Sequence, residues 1–177
     1  MRKIYIIATN NHTMTSKVFK LFTREKYVHI SIALDSKFKN VYSFGRKNPK
    51  RPLPAGFVNE DFNSICEYYS SSDCAVYELE INNKDYYHLK QDIKQKYIKN
   101  KIKFHYNIRG IPFLNFNIRH HREYHYVCTQ FCGKLLMDAG IINFEKDYSL
   151  LKPKDFFNIE NTTLVYEGKT SNYLQGL

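Results

Sequence analysis

Residues 27–35 read YVHISIALD, and their alternation decides the fold. The even positions, Val28, Ile30, Ile32 and Leu34, are apolar; the odd positions carry His29, Ser31 and Ala33. Successive side chains of a strand point to opposite faces, so the pattern predicts a two-faced β-strand. One face is aliphatic and the other holds small residues and a histidine. Towards the C-terminus, residues 40–46 (NVYSFGR) supply a second strand, with Ser36–Lys39 as the turn of a hairpin. Residues 47–56 (KNPKRPLPAG) hold three prolines and read as a loop. Towards the N-terminus, residues 3–8 (KIYIIA) form a first strand. A polar turn from Asn10 to Thr15 follows, then a short helix over 17–24 capped by Ser16.

Residues 73–81 (DCAVYELEI) alternate again and predict another strand. Asn82 caps a helix over 84–98. Residues 104–118, interrupted by Pro112, fit either a short helix or an ordered loop, and 119–123 (RHHRE) is a charged bend. Cys128 to Ala139 is the strongest helix, because its apolar positions 128, 131, 132, 135, 136 and 139 form one stripe. Gly140 stands where a left-handed C-cap is expected. A short helix over 152–158 with Pro153 in its first turn and a last strand over 162–166 complete the chain. The order predicts an α+β fold, an antiparallel sheet with helices packed on it, in a single domain spanning 1–177.

Hydrophobic residues make up 43% of the 177, enough for a core and too many for disorder. The net charge is +10, but no run of like charge reaches tail length, so a general basic surface is preferred to a dedicated anion site. No stretch approaches a membrane span, and the apolar run Ile4–Ala8 is too short for a signal peptide. A cytoplasmic location with reduced thiols is therefore expected. The cysteines at 66, 74, 128 and 132 form no CxxC and no zinc-ligand spacing with histidine, so no metal or cofactor is expected.

Cys128 opens the apolar helix after an extended lead-in, Tyr124–Val127 (YHYV). A thiol at a helix N-terminus feels partial positive charge, which favours thiolate. Core packing is the competing reading, and it suits Cys132 one turn later. His29, on the small-residue face of its strand, can share the Cys128 proton. A base needs a third group to orient it. Tyr42 or Ser43 can serve, depending on the hairpin register, and Ser43 is favoured. His125, three residues before Cys128, and His12, in the polar turn, are candidate cleft-lining residues with Tyr42. Gln130 reads as a helix-face residue, and the Cys128 amide is the expected oxyanion donor.

HISIALD followed by VYSFGR, and later YHYVCTQFCGKLLMDAGI, resemble the permuted NlpC/P60 papain-like cysteine hydrolases of the YiiX/YebB-like group. That family also has relatives among poxvirus proteins and lecithin retinol acyltransferases. The resemblance implies a circularly permuted papain-like fold, with the base at His29 and the nucleophile at Cys128. It implies cleavage of a peptide or isopeptide amide through an acyl-enzyme. Many relatives carry a stronger polar group where this chain has Ser43. Acyl transfer or thioester cleavage on lipid acyl groups is an alternative. So is a catalytically weak or inactive papain-like module that binds an anionic partner through residues such as Arg46–Arg51 (RKNPKR). The expected partner is a peptide or an acyl small molecule; nucleic acid is disfavoured, because no nucleic-acid motif is present.

Overall fold

Strand β1 (Arg2–Asn10) pairs antiparallel with β2 (His29–Ala33), with Tyr5 opposite Ala33 and Thr9 opposite His29. The computed structural model describes residues 1–10, 26–48, 51–60, 62 and 72–173; His12 and the helix expected over 17–24 lie outside them. The hairpin forms as the alternation required. β2 pairs antiparallel with β3 (Val41–Asn48), placing Ile32 opposite Tyr42 and Ala33 opposite Val41. The turn between them is tied by the Asp35 carboxylate, which accepts from the amides of Lys39 and Asn40 at 3.1 Å each.

One expectation fails next. Residues 47–56 are not a loop: β3 runs on to Asn48, and β4 (Arg51–Glu60) follows. Prolines cannot donate to a ladder, which is why the segment reads as a breaker. β4 is the edge of the sheet, where only one side has a neighbour, and an edge tolerates missing amide hydrogens. β5 (Asp73–Ile81) and β8 (Thr162–Lys169) pair antiparallel at the other end, with an irregularity between Val76 and Tyr77. The strand order is β4-β3-β2-β1-β5-β8. The chain is thus α+β with an antiparallel sheet.

Asn82 caps α1 (Asn83–Asp92) as expected, its side chain accepting from the Asp85 amide at 2.8 Å. The helix continues as a wider π turn over Ile93–Ile98, burying Ile93 and Tyr97. β6 (His105–Tyr106) pairs in parallel with β7 (His125–Tyr126). Between them lies α2 (Gly110–Asn115), which accommodates Pro112 because a first-turn residue has no intrahelical amide bond to lose. α3 (Cys128–Asp138) buries Cys128, Phe131, Cys132, Leu135 and Leu136, the predicted stripe. Gly140 then takes φ +71 at its end. Pro153–Phe156 is a 3-10 turn, and α4 (Thr170–Tyr173) ends the described chain.

Two compact units emerge. The strand unit comprises Lys3–Tyr42, Asn59–Glu80 and Pro153–Leu177; the helical unit comprises Met1–Arg2, Ser43–Val58 and Ile81–Lys152. The strand unit packs Tyr5, Ile7, Ala33, Phe38, Val41, Phe62, Cys74 and Val76 into one core. The helical unit is built on aromatic contacts. Phe44 meets Phe131 at 5.1 Å between ring centroids, and Tyr97 meets Phe131 and Phe104 at 4.9 Å each. Buried aromatic pairs of this kind contribute about 0.5–1.5 kcal/mol each beyond burial, so Phe131 fixes α3 firmly.

Candidate active site

In the strand unit, alternation along β2 puts His29 and Ser31 on one face. The carboxylate of Glu60, the last residue of β4, reaches both. His29 Nε2–H donates to Glu60 Oε1 at 2.6 Å, and Ser31 Oγ–H donates to Oε2 at 2.7 Å. The His29 and Glu60 side chains retain only 20% and 10% of their accessible surface. A carboxylate only accepts, so Nε2 carries the hydrogen and the imidazole is fixed in one orientation. A charge-assisted hydrogen bond of this kind contributes about 1.5–3 kcal/mol, and Ser31 holds the second oxygen in place.

The orienting group expected from the sequence was Ser43. Alternation from Val41 does set Ser43 on the Ala33 side of β3, the register that favoured it, and Ser43 is fully buried. The carboxylate on His29 nevertheless comes from Glu60, which sequence reasoning missed. The signal was present in residues 55–60 (AGFVNE), but it was masked by assigning the preceding prolines to a loop. Tyr42, opposite Ile32, lies on the other face of the strand pair from His29, and its hydroxyl donates to Asn40 Oδ1 at 3.4 Å.

In the helical unit, Val127 is extended (φ −89, ψ 169) and delivers Cys128 as the first residue of α3, almost wholly buried. Gln130 fixes this start. Its Oε1 accepts from the Val127 amide at 3.0 Å and from Asn107 Nδ2 at 3.4 Å; its Nε2 donates to the Ser149 carbonyl at 3.2 Å. Gln130 is therefore a buried anchor for the helix start. Asn107 in turn accepts from the Gly110 amide at 3.2 Å. A Cβ on Gly110 would stand 2.4 Å from Asn107 Nδ2, so a larger residue would push Asn107 off its bonds to Gln130 and the Gly110 amide.

Tyr106, brought beside Tyr126 by the β6–β7 pairing, shares a hydrogen bond with the Cys128 sulfur. Burial holds the Tyr106 phenol well above its ordinary value, and the neighbouring Cys128 sulfur adds to this. Tyr106 is thus a protonated donor at neutral pH, and a donor to sulfur favours thiolate over thiol. The sequence drew no attention to Tyr106, because its approach to Cys128 depends on a two-residue parallel bridge.

The remaining candidates are placed as follows. His125 Nδ1–H donates to the Glu123 carbonyl at 2.7 Å, and its ring lies 5.3 Å from that of His105. His121, exposed in the charged bend, donates from Nε2 to Asp147 Oδ1 at 3.0 Å. Cys74, Cys128 and Cys132 are in no disulfide. Burial pushes the Cys74 thiol up to about 11, so it is inert at neutral pH. Among the described residues no cluster of three or more His, Cys, Asp or Glu could hold a metal ion, and no helix is long and apolar enough to cross a membrane. No known protein family matches the chain, nor does any curated protein or solved structure.

Proposed function

We propose that the protein is a cysteine hydrolase cleaving an amide bond of a peptide or isopeptide, with Cys128 as nucleophile, His29 as base and Glu60 as the group that orients it. The observation that carries the reading is the carboxylate on His29 Nε2 at 2.6 Å, with Ser31 on its other oxygen. Glu60 is a part-buried carboxylate held on both oxygens. A general base needs one, because the imidazolium formed during reaction is stabilised by it.

The steps follow from the groups. His29 Nδ1 takes the Cys128 proton, while the Tyr106 hydroxyl donates to the sulfur. The thiolate attacks the carbonyl carbon and the C–O π electrons move to oxygen. The amide at the start of α3 meets that oxyanion, since the first amides of a helix lie outside its own ladder. His29 returns the proton to the leaving amine as the C–N bond breaks, giving a thioester and a free amine. His29 then deprotonates water, which attacks the thioester and releases the acid and the Cys128 thiol.

The test is turnover of a fluorogenic peptide-amide panel with mass detection of the acyl-enzyme. Wild type should cleave at least one member and show the adduct on Cys128. Cys128→Ala and His29→Ala should each lose about 10³-fold or more. Undiminished turnover in Cys128→Ala would overturn the mechanism.

A further inference from the structure

The positive charge is concentrated within the fold. Residues 93–122 contain eight lysines and arginines and no aspartate or glutamate, within a chain of net charge +10. The same stretch holds six of the twelve large hydrophobic side chains exposed among the described residues: Ile98, Ile102, Ile108, Phe113, Phe116 and Ile118. Ile102 retains 83% of its surface at a lysine-flanked turn, and Phe116 retains 76%.

α2 explains the arrangement. Gly110 and Leu114 are its buried residues. Arg109, Pro112, Phe113 and Phe116 follow i, i+3, i+4, i+7 spacing on the outward stripe, and all are exposed. A helix against water presents polar residues outward; this one presents aromatic rings beside arginine. The display is also rigid. Asn117 turns back at φ +56, the Ile118 amide donates to the Phe113 carbonyl at 2.9 Å, and the Phe113 ring stacks on His120 at 4.5 Å. Leu114 and the Asn107–Gly110 bond anchor it from below.

We propose that the knuckle from Ile108 to Arg122, built on α2, docks the protein on an anionic phospholipid surface, with Phe116 and Ile118 entering the headgroup–acyl boundary and Arg109, Arg119 and Arg122 meeting lipid phosphates. Charge complementarity selects this occupant. A second copy would set one strongly basic surface against another, which is repulsive. A nucleic-acid backbone satisfies the cations and leaves the isoleucines and phenylalanines in water. A bilayer interface rewards both, through apolar insertion and attraction to anionic headgroups. The inference does not depend on the proposed catalysis.

The test is flotation of the full chain with vesicles of phosphatidylcholine alone and with vesicles in which about a third of the lipid is phosphatidylglycerol. Binding is expected to the anionic vesicles, with weakening as salt rises. Phe116→Ser/Ile118→Ser, at exposed positions, should lower binding about tenfold or more with an unchanged melting temperature. Ile102→Ser, outside the knuckle, should reduce it far less. Cys128→Ala should bind as wild type does, which separates this result from any failure of the catalytic reading. The proposal is overturned if wild type ignores anionic vesicles or if the double variant binds undiminished. It is equally overturned if wild type is a dimer that the double variant dissociates.

Discussion

His29 and Cys128 acquire their surroundings in different ways. His29 meets a carboxylate 31 residues away in sequence, and that meeting needs β4 to form at the sheet edge. The surroundings of Cys128 are mixed: Val127 and Gln130 come from its own helix start, while Asn107 and Tyr106 come from before α2 and are brought to it by the β6–β7 pairing. The start of α3 is therefore fixed partly by a local motif and partly by the β6–β7 pairing, and the His29 contact wholly by tertiary register. Substitutions should separate the two.

The largest effect is expected at the base. Glu60→Gln keeps the volume but can no longer accept from both His29 and Ser31 as a charge, and turnover should fall about 10²–10⁴-fold. His29→Ala also strips the Nε2–H donor from a part-buried carboxylate, so stability should drop by about 1.5–3 kcal/mol, read by urea melts at neutral pH. If His29→Ala melts like wild type, the Glu60 contact is not part of the folded state. At the other end, Gln130→Ala should cost about 2–4 kcal/mol, because it strands the Val127 amide and the Ser149 carbonyl in a buried place. Full stability in that variant would show that the helix start holds itself.

The pH profile gives a smaller, independent effect. The Cys74 thiol is raised by burial to about 11 in the folded protein, against about 8.5 when unfolded. Between those values the unfolded state has released a proton that the folded state retains, so stability falls as pH rises. The loss amounts to about 2–3 kcal/mol across the window. Melts from pH 8 to 11 should show the slope, and Cys74→Ala should flatten it; an equal slope in the variant would assign it to the buried tyrosines. Smallest is Tyr106→Phe, which removes one donor to sulfur and should slow alkylation of Cys128 by about three- to tenfold.

The same contrast explains what was legible in the sequence. Helix α3, its stripe and the Gly140 cap were readable because a helix carries its period and ends within a dozen residues. The β2–β3 hairpin was readable from strict alternation. β4 was not, because Pro52 and Pro54 mean loop in any reading that lacks the strand order, and the edge position that tolerates them exists only in the assembled sheet. Glu60 was lost with it. Tyr106 was invisible for a related reason: a two-residue parallel bridge has no period to detect. The basic stretch 93–122 escaped notice because its cations are spaced by Asn, Tyr and Ile rather than run together.

The central claim is that Cys128 is a thiolate nucleophile served by His29. Its most direct test is the pH dependence of iodoacetamide alkylation at each cysteine, read by peptide mass spectrometry in wild type and His29→Ala. Cys74, whose thiol titrates near 11, is the internal reference. The account predicts fast alkylation of Cys128 well below pH 8, lost in His29→Ala while Cys74 is unchanged. Cys128 reacting no faster than Cys74, or equally fast without His29, would contradict it.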